Sequence, residues 1–556
     1  MTVNCDAVVI GSGFGGSVAA CRLAQAGCSV TVMERGRRYD QNPFPRNWKN
    51  PTDGWLWQVG QGLFDLRHFS RMMVVQGAGL GGGSLIYANV HLRAPHEVFN
   101  QGWPAAYNRP MLDPYYDLVA YMLDINPITA SKYLGMPPKS TLMKRMAEAM
   151  GRSAQFCLPN IAVDFGRPEK SHVNKFGALQ QGCRFCGECD IGCNFHAKNT
   201  LDFNYLKLAQ DKAARIETQC EVVRIEPAAD GGYSVHFLDH RKQGQPGRLD
   251  TKYIFVCAGA VNSTELLLRC RDQFGSLPNL NRCLGNNYSG NGDFLAFAFN
   301  TSEQFMPSEG PTITSGIVYA RRDGDADNWF ILEEGGYPKE IGSLVQVLNP
   351  KNGLLADAKL LSRLDLDELL RRNSAEASPR QAADHSSVFL AMGRDRANGH
   401  LLLHPLTFAL DVRWDLQSNI ALYEAEEAFV KILAEKMGGN AADNPFWSLL
   451  RIPVTVHNLG GCPLADSPDR GVLNPDGEVF GYPGLFVLDG AAIPVAVGAN
   501  PSHTIAAVAE RNIETAIRRI IGDKTWQAPE RRLAGPIDDP LSDIVIPSEG
   551  VPALTV

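Results

Sequence analysis

Residues 8–23, VVIGSGFGGSVAACRL, decide the fold of this chain, and a second apolar run ends in TVMERG at 31–36. An apolar strand leads into a glycine-rich turn and a helix-compatible run, and a second strand then closes on an acidic residue. In Gly11-x-Gly13-x-x-Gly16 the first glycine permits a tight turn and the second lets the backbone approach a pyrophosphate. The third lets the helix and the strand pack closely. This β–α–β–acid context predicts a dinucleotide site.

The residues around that turn complete the predicted site. Phe14 and Gly15 lie within it and are expected to contact the cofactor. The helix that follows offers unpaired N–H groups and the positive end of its dipole to phosphate. Glu34, eighteen residues after Gly16, stands at the tip of the second strand, where its carboxylate would accept ribose hydroxyls.

The composition of the chain limits the classes of protein to which it can belong. With 556 residues the chain has room for two or more domains, and no basic block points to nucleic acid. No apolar run is long enough to span a bilayer. The 13 cysteines are odd in number and cluster only once, which indicates a reducing compartment. Because the nucleotide strand begins within the first ten residues, no cleaved secretory leader is expected. We therefore expect a cytoplasmic protein.

Several aromatic residues lie among prolines and glycines in residues 41–73: Phe44, Trp48, Trp55, Trp57, Phe64 and Phe69. The pattern favours a loop packed over the cofactor. The alternative is an apolar lid at the mouth of a pocket, in peripheral contact with a membrane.

A second glycine cluster occupies residues 74–90, in VVQGAGLGGGSLIYANV. Such a density of glycine is expected where backbone lies against a flat ligand or a diphosphate. Later, IFVCAGAVNSTELLLRC at 254–270 repeats the order of strand, small-residue turn and helix, and Ala258-Gly259 marks where a third strand approaches the cofactor. At 484–520 an apolar strand ends in Asp489-Gly490, and a long helix opens near Pro501.

Residues 300–450 differ from these segments and form the candidate substrate domain. They show alternation typical of strands, with helix-like stretches at 351–372 and 424–437. The amphipathic run 359–372 is a surface helix, with a lid or a dimer contact as alternatives. A polar linker covers 373–386.

Taken together, GSGFGG, GAGLGGGS and the C-terminal HNLGGC…LFVLDGAAIP…GANPSHTIAAVAERN resemble the glucose–methanol–choline (GMC) FAD oxidoreductases, and most closely their cholesterol-oxidase-like branch. The resemblance implies a mixed α/β fold, with a Rossmann-like FAD-binding domain built from discontinuous segments and a substrate domain with an antiparallel sheet and helices. The implied boundaries are 1–120, 200–300 and 451–525 for the FAD-binding domain, 121–199 and 301–450 for the substrate domain, and 526–556 for a Pro-rich tail.

The same resemblance implies how FAD would lie. The glycine turn would hold the pyrophosphate, Glu34 the adenosine ribose, backbone near Val222 the adenine, and Asp489 the ribityl and diphosphate end. The residues expected to contact the flavin or the phosphates are Gly79, Gly82, Gly83, Ser84, Asn89, Ala258, Gly259, Gly490, Asn500 and Pro501. Within 86–89 the resemblance does not fix which residue contacts the isoalloxazine.

His457 and Asn500 are the implied catalytic pair. Oxidation of an alcohol requires its hydroxyl proton to be taken or strongly hydrogen-bonded, and imidazole suits that role because it titrates near neutrality. Asn500 precedes the last long helix, whose N-terminus would stabilise negative charge on reduced flavin. His503 stands where close relatives tend to carry an apolar residue, and no role is assigned to it.

Glu333, with Glu334 as the near alternative, lies in WFILEEGGYP at 329–338. This run resembles the region in which cholesterol oxidases carry a carboxylate that shifts the steroid double bond. A carboxylate in an apolar pocket has a raised pKa, which suits proton transfer. The alternative is a solvated pair at the end of a strand.

The cysteine cluster is not explained by an ordinary oxidase. Cys183, Cys186, Cys189 and Cys193 have the spacing of a bacterial ferredoxin ligand run, with Asn194 where such runs carry proline. Three interpretations stay open: an iron–sulfur cluster, a zinc ion, or four reduced thiols.

The sequence thus predicts FAD-dependent oxidation of a bulky apolar alcohol, most specifically a sterol, with double-bond isomerisation as a possible second step. Oxygen or another electron acceptor would reoxidise the flavin. One alternative is an iron–sulfur-linked dehydrogenase of another alcohol or sugar that passes electrons to a quinone or a protein. Another is a non-catalytic flavin redox sensor, against which the presence of both His457 and Asn500 argues.

Overall fold

The computed structural model describes residues 5–40, 43–47, 53–229, 231–323, 326–346, 348–349 and 379–545. The strands are β1 (Cys5–Ile10), β2 (Val30–Met33), β3 (Phe64–His68), β4 (Met73–Gly77), β5 (Asn126–Pro127), β6 (Phe156–Cys157), β7 (Asn160–Ile161), β8 (Ser171–Val173), β9 (Leu179–Gln181), β10 (Arg215–Glu217), β11 (Cys220–Pro227), β12 (Tyr233–Asp239), β13 (Gln245–Val256), β14 (Phe294–Phe299), β15 (Gly316–Asp323), β16 (Ala326–Gly335), β17 (Ser387–Gly393), β18 (His400–Leu403), β19 (Leu410–Arg413), β20 (Asn440–Asp443), β21 (Val454–Thr455) and β22 (Leu485–Val487). The α-helices are α1 (Phe14–Gln25), α2 (Trp57–Gly60), α3 (Arg109–Leu123), α4 (Pro138–Ala149), α5 (Tyr205–Asp211), α6 (Ala260–Leu268), α7 (Gly342–Gln346), α8 (Pro379–Asp384), α9 (Ile420–Lys436), α10 (Pro445–Leu450) and α11 (Ser502–Ile521).

A seven-stranded sheet carries the predicted nucleotide unit. Its parallel part runs β10–β2–β1–β13–β22, and β12 and β11 continue antiparallel from the first half of β13. The apolar run of β1 is almost wholly buried, as expected for a parallel strand covered on both faces. Three separate segments (5–33, 215–256 and 485–487) supply these strands, so the expected discontinuous Rossmann-like architecture is confirmed. The domain boundaries themselves stay a prediction.

Helices α1 and α11 pack on each other over this sheet and are joined by a buried ion pair. Arg22 of α1 places its Nη2 2.7 Å from Oε1 of Glu510 on α11. The Tyr205 hydroxyl donates to the same oxygen at 2.8 Å. A buried charge is tolerated only when it is paired and hydrogen-bonded, and Arg22 and Glu510 satisfy this condition for each other. The two helices are therefore fixed relative to each other.

The second large sheet forms the predicted substrate domain. Its six strands run β20–β14–β17–β16–β15–β6, every neighbouring pair is antiparallel, and α9 packs over it. The expected helix at 424–437 is thus present as α9. The expected helix at 351–372 lies outside the described residues, as do residues 373–378 of the expected linker. The rest of that linker, residues 379–386, is described, and most of it forms the helix α8.

The aromatic loop packs mainly inward. Phe44, Trp55 and Phe69 are buried, and Phe44 stacks on Tyr39 with ring centroids 4.5 Å apart. Trp48 lies outside the described residues. The packed-loop interpretation fits these three side chains better than contact with lipid. Among the described helices, none has the length and apolarity needed to cross a membrane.

Candidate active site

The glycine turn is held by contacts between backbones. A Cβ built on Gly15 would lie 2.0 Å from the carbonyl oxygen of Leu488, and one on Gly16 would lie 2.1 Å from that of Gly11. Gly11 itself has φ +92°, a conformation that favours glycine. The turn therefore fits between the ends of β1, β13 and β22 only without side chains. Gly16 serves this packing and does not line the cavity, and its contact with the cofactor stays a prediction.

A single cavity of about 890 Å³ begins at this turn. Of the residues predicted to hold the cofactor, those that line it are Gly11, Gly13, Phe14, Gly15, Glu34, Gly82, Gly83, Val222, Ala258, Gly259, Asp489, Gly490, Asn500 and Pro501. His457 lines its other end. The cavity thus runs from the predicted adenosine site to the predicted catalytic pair, as an extended dinucleotide requires.

The second glycine cluster is placed only partly as expected. Gly82 packs on the first turn, since a Cβ there would lie 2.7 Å from the Cα of Gly13. Gly79 instead lies against Leu85 and Tyr39 and does not reach the cavity. The Ser84 hydroxyl donates to the Gly81 carbonyl at 2.7 Å and is fully buried. Gly79 and Ser84 thus shape the loop and are not among the residues that line the cavity, and their contact with the cofactor stays a prediction.

Asn89 is also absent from the cavity wall, so its contact with the cofactor stays a prediction. It is fully buried with φ +69°, and the wall is lined at this point by Ile86, Tyr87 and Ala88. The backbone of Asn89 is left-handed, and the three residues before it line the cavity. Sequence comparison alone left this choice open.

Two carboxylates brace the cofactor end of the cavity. Glu34 accepts from Ser12 N at 3.1 Å, from Ser12 Oγ at 2.6 Å and from Gly36 N at 2.8 Å. Asp489 accepts from Gly259 N at 2.7 Å and from the Ser263 hydroxyl at 2.5 Å, which ties β22 to the turn after β13. Burial raises the pKa of Asp489. Both carboxylates fix the loops they belong to and also line the cavity.

His457 is held by a carboxylate that the sequence did not reveal. Its Nδ1 lies 2.8 Å from Oδ1 of Asp293, and both residues line the cavity. The other oxygen of Asp293 accepts from the Thr455 hydroxyl at 3.0 Å and from Val456 N at 2.8 Å. Because a carboxylate only accepts, Nδ1 of His457 carries the proton and Nε2 is left as an acceptor.

Asn500 and Glu333 form a second buried pair. The Asn500 Nδ2 donates to Glu333 Oε2 at 3.1 Å, while Asn500 Oδ1 and Glu333 Oε1 have no partner among the described residues. Burial raises the pKa of Glu333 to about 8. Glu333 does not itself line the cavity and reaches it through Asn500.

The near alternative, Glu334, faces the other side of β16. It lies 3.2 Å from Lys139 Nζ and accepts from the hydroxyls of Thr314 and Ser315. Neighbouring residues of a strand point to opposite faces, so only one of the two glutamates can approach Asn500.

His503 is engaged elsewhere in the structure. It is fully buried, and its Nε2 forms a hydrogen bond with the Tyr116 carbonyl at 2.9 Å.

Comparison with known proteins agrees with this geometry. A GMC oxidoreductase family model for the N-terminal region matches residues 5–271, and one for the C-terminal region matches residues 421–509. The chain belongs to the GMC oxidoreductase family. GMC oxidoreductases bind FAD, and the glycine turn, Glu34 and the long cavity fit that cofactor. The predicted activity on CH–OH groups is confirmed at this level.

Individual relatives extend over most of the chain. It is 31% identical to a cholesterol oxidase of Acinetobacter baumannii, covering 92% of this chain and 94% of that protein. It is 30% identical to a cholesterol oxidase of Mycobacterium tuberculosis (strain H37Rv), covering 92% and 91%. A fungal aryl-alcohol oxidase structure matches with a TM-score of 0.58 at 15% identity, over 94% of this chain and 100% of that one, which shows a shared fold.

The backbone packing at Gly15 predicts a sharp effect of a single methyl group. Gly15→Ala should destabilise the protein by about 1–3 kcal/mol, because the Leu488 carbonyl cannot retreat, and FAD content should fall. Gly135→Ala is the matched control, since a Cβ there meets nothing within 4 Å. Thermal unfolding and flavin absorbance measure both effects. Equal behaviour of the two variants would contradict the packing argument.

The Asp293–His457 contact predicts a graded loss of activity. Asp293→Ala should lower kcat by roughly 10²–10⁴-fold with FAD still bound, because His457 loses its fixed orientation. Asp293→Asn keeps an acceptor at the same place and should recover part of that loss.

The exposed Asp415→Asn serves as control and should leave kcat unchanged. Steady-state kinetics with flavin quantitation decide the result. If both Asp293 variants kept full activity, the positioning role would be wrong.

Proposed function

We propose that this chain oxidises the hydroxyl of a bulky apolar alcohol, specifically the 3-hydroxyl of a sterol, with FAD as hydride acceptor and oxygen as the final oxidant. The observation that carries the proposal is His457, oriented by Asp293, at the apolar end of the cavity. The cholesterol oxidases that resemble this chain along most of its length support the choice of sterol.

The substrate end of the cavity has the surface that such a molecule requires. The antiparallel sheet and the strand before His457 contribute mostly aliphatic side chains to its wall, and these are Leu295, Ile313, Val388, Leu390, Val454 and Val456. Covering an apolar substrate with such a wall is favourable by about 25 cal/mol per Å² of apolar surface buried. The few polar groups there, His457 and Asn500, would then select the position of the hydroxyl.

The chain's own residues have defined roles in this reaction. Nε2 of His457 accepts the hydroxyl proton, because Nδ1 is committed to Asp293. The Asn500 carbonyl oxygen is unpartnered among the described residues and would accept a hydrogen bond from the substrate hydroxyl. Bound FAD supplies the hydride acceptor. The N-terminus of α11, which begins at Ser502, stabilises negative charge at that end of the cavity.

Glu333 would support a second step, the shift of the steroid double bond. Its position beside Asn500 places it next to the reacting end of the cavity, and its pKa of about 8 is suited to both taking and returning a proton. We assign Glu333, rather than Glu334, to this step because Glu334 is occupied by Lys139.

We also propose a cytoplasmic location. Thirteen free cysteines support a reducing compartment. The reading as a non-catalytic sensor is not favoured, because family membership and the His457–Asp293 pair both indicate turnover.

Anaerobic mixing of the holoenzyme with a 3-hydroxysteroid tests the main proposal. The flavin should bleach, and admission of oxygen should restore its colour. A long-chain primary alcohol is the comparison substrate and should bleach the flavin more slowly. His457→Ala should slow bleaching by roughly 10²–10⁴-fold while FAD stays bound.

If the primary alcohol bleached the flavin and the 3-hydroxysteroid did not, the sterol would be excluded as the substrate. If the flavin stayed bleached after oxygen was admitted, the result would favour the alternative of a dehydrogenase with an electron acceptor other than oxygen. Absence of bleaching with every alcohol would overturn the function.

The raised pKa of Glu333 predicts two pH effects. The isomerisation rate should rise as pH increases through about 8, where the carboxylate forms, and should be lost in Glu333→Gln. Between the ordinary pKa of 4.5 and about 8 the folded state holds a proton that the unfolded state has released, so the free energy of unfolding should fall as pH rises.

Glu333→Gln should flatten that fall, whereas the exposed Glu169→Gln should not. Denaturant titrations at several pH values measure this effect, and product analysis measures isomerisation. An unchanged pH dependence in Glu333→Gln would refute the assignment.

A further inference from the structure

Three residues that line the large cavity have a buried side-chain oxygen with no hydrogen-bond partner among the described residues. They are Asn500 with Oδ1, Asp190 with Oδ1 and Thr312 with Oγ1. The proposed reaction uses Asn500 and neither of the other two. A buried polar atom without a partner is costly, and few are found in native proteins without a role. Asp190 and Thr312 therefore indicate a second polar group on the substrate.

Thr312 lies beside the end of β16, in the wall of the substrate end. The residue is 2% exposed, and a Cβ built on Gly336 would lie 3.3 Å from its carbonyl oxygen. Gly335 and Gly336 line the cavity, as does Ile313, the residue that follows Thr312. The Thr312 hydroxyl is therefore a polar group within a wall that is otherwise aliphatic or bare backbone.

Asp190 belongs to the cysteine loop, residues 183–193, which is joined to the segment that carries Thr312. Gly187 N of the loop donates to the Gly310 carbonyl at 3.0 Å. Both Asp190 and Thr312 line the large cavity, on the two segments that this bond connects. We call these two residues the Asp190–Thr312 pair.

Electrostatic contacts place Asp190 more closely. It lies within electrostatic range of Lys139, whose Nζ donates to the Pro311 carbonyl at 2.6 Å, next to Thr312. It also lies within electrostatic range of His457. The pair is therefore in the reacting half of the cavity and not at its adenosine end.

The packing of the cysteine loop suits it to hold Asp190. The cavity that its four cysteines line is about 10 Å³, which is at the lower limit for one water molecule. Among the described residues, no group of three His, Cys, Asp or Glu is placed to hold a metal ion. Lys198 is 1% exposed, and its Nζ donates at 2.8 Å to the carbonyl of Cys189, the residue before Asp190, and at 2.8 Å to that of Tyr87 in the cavity wall. The loop is thus a tightly packed support for Asp190.

The strand β16 gives the separation of the two polar positions. Asn500 donates to Glu333 on this strand, and Gly335 and Gly336, beside Thr312, follow two and three residues later. Because a strand rises about 3.3 Å per residue, the pair lies roughly 7–10 Å from the end where Asn500 is bound.

The wall between the two positions is apolar. Leu390 lies opposite Glu333 in the sheet and Val388 lies opposite Gly335, and both line the cavity together with Leu295. A ligand that matches this stretch has an apolar body with a polar group at each of the two positions.

We propose that the substrate is a 3-hydroxysteroid with a second hydroxyl on its third ring, and that Asp190 and Thr312 bind this second hydroxyl. The inference rests on the proposed function and names its substrate more closely. The second hydroxyl donates to the Asp190 carboxylate and accepts from the Thr312 hydroxyl, while the 3-hydroxyl meets Asn500. The fused rings are rigid, so the two hydroxyls keep one separation. A steroid without the second hydroxyl leaves both protein oxygens unpaired, which lowers its affinity.

Steady-state kinetics of the holoenzyme test the proposal. The substrates are a 3-hydroxysteroid with hydrogen on the third ring and its derivatives with a hydroxyl at carbon 11 or carbon 12, in either configuration. At least one derivative should have a kcat/KM higher than that of the parent by roughly 10–100-fold.

Thr312→Val and Asp190→Ala each remove one partner of the second hydroxyl and should bring this ratio towards one. Thr312→Val should not lower the free energy of unfolding, because the hydroxyl has no protein partner among the described residues. Thr314→Val is the matched control. The Thr314 hydroxyl donates to Glu334 at 2.7 Å outside the cavity wall, so this variant should be less stable but should keep the ratio.

The outcomes separate this inference from the proposed function. If no 3-hydroxysteroid were oxidised, the proposed function would fail and this inference with it. If the parent were oxidised as efficiently as every derivative, only this inference would be overturned. A ratio unchanged in both variants would also overturn it. Loss of FAD from Asp190→Ala with an unchanged ratio would assign that residue to the cofactor instead.

Discussion

Contact between bare backbones, made possible by glycine, is the constraint on which the rest of this structure depends. The helix α1 begins where Gly15 meets the carbonyl of Leu488 and Gly16 meets that of Gly11. The second glycine cluster joins the same point, because Gly82 packs on Gly13. Chain segments some 470 residues apart thus touch without side chains between them. The cavity starts at this point, where backbone without side chains can approach a ligand closely.

The reacting end of the cavity is built differently, from side chains that restrain one another. Asp293 comes just before β14 and His457 just after β21, so each is delivered by a rigid strand. The Asn500–Glu333 pair adds the start of α11 and the end of β16. The antiparallel sheet therefore does more than cover the substrate, since it supplies the partner of each implied catalytic residue.

Much of this arrangement could be predicted from sequence, for identifiable reasons. The turn at Gly11–Gly16, Glu34 and Asp489 belong to local patterns whose spacing carries the chemistry, and His457 and Asn500 lie in motifs shared with the family. Asp293 could not be found in this way, because a single acid before a strand has no local signature. Its role exists only through a contact across 164 residues. The choice between Glu333 and Glu334 depended on which face of β16 turns inward, and this cannot be determined from two adjacent glutamates in the sequence.

The buried ion pair between Arg22 and Glu510 has a consequence for the length of the cavity. Helix α1 begins at the glycine turn, where the phosphates are expected, and α11 begins at the reacting end. The ion pair ties these two helices to each other away from both of their N-termini. The two positive helix ends are thus held at one separation by a pair of charges that itself lies outside the cavity wall.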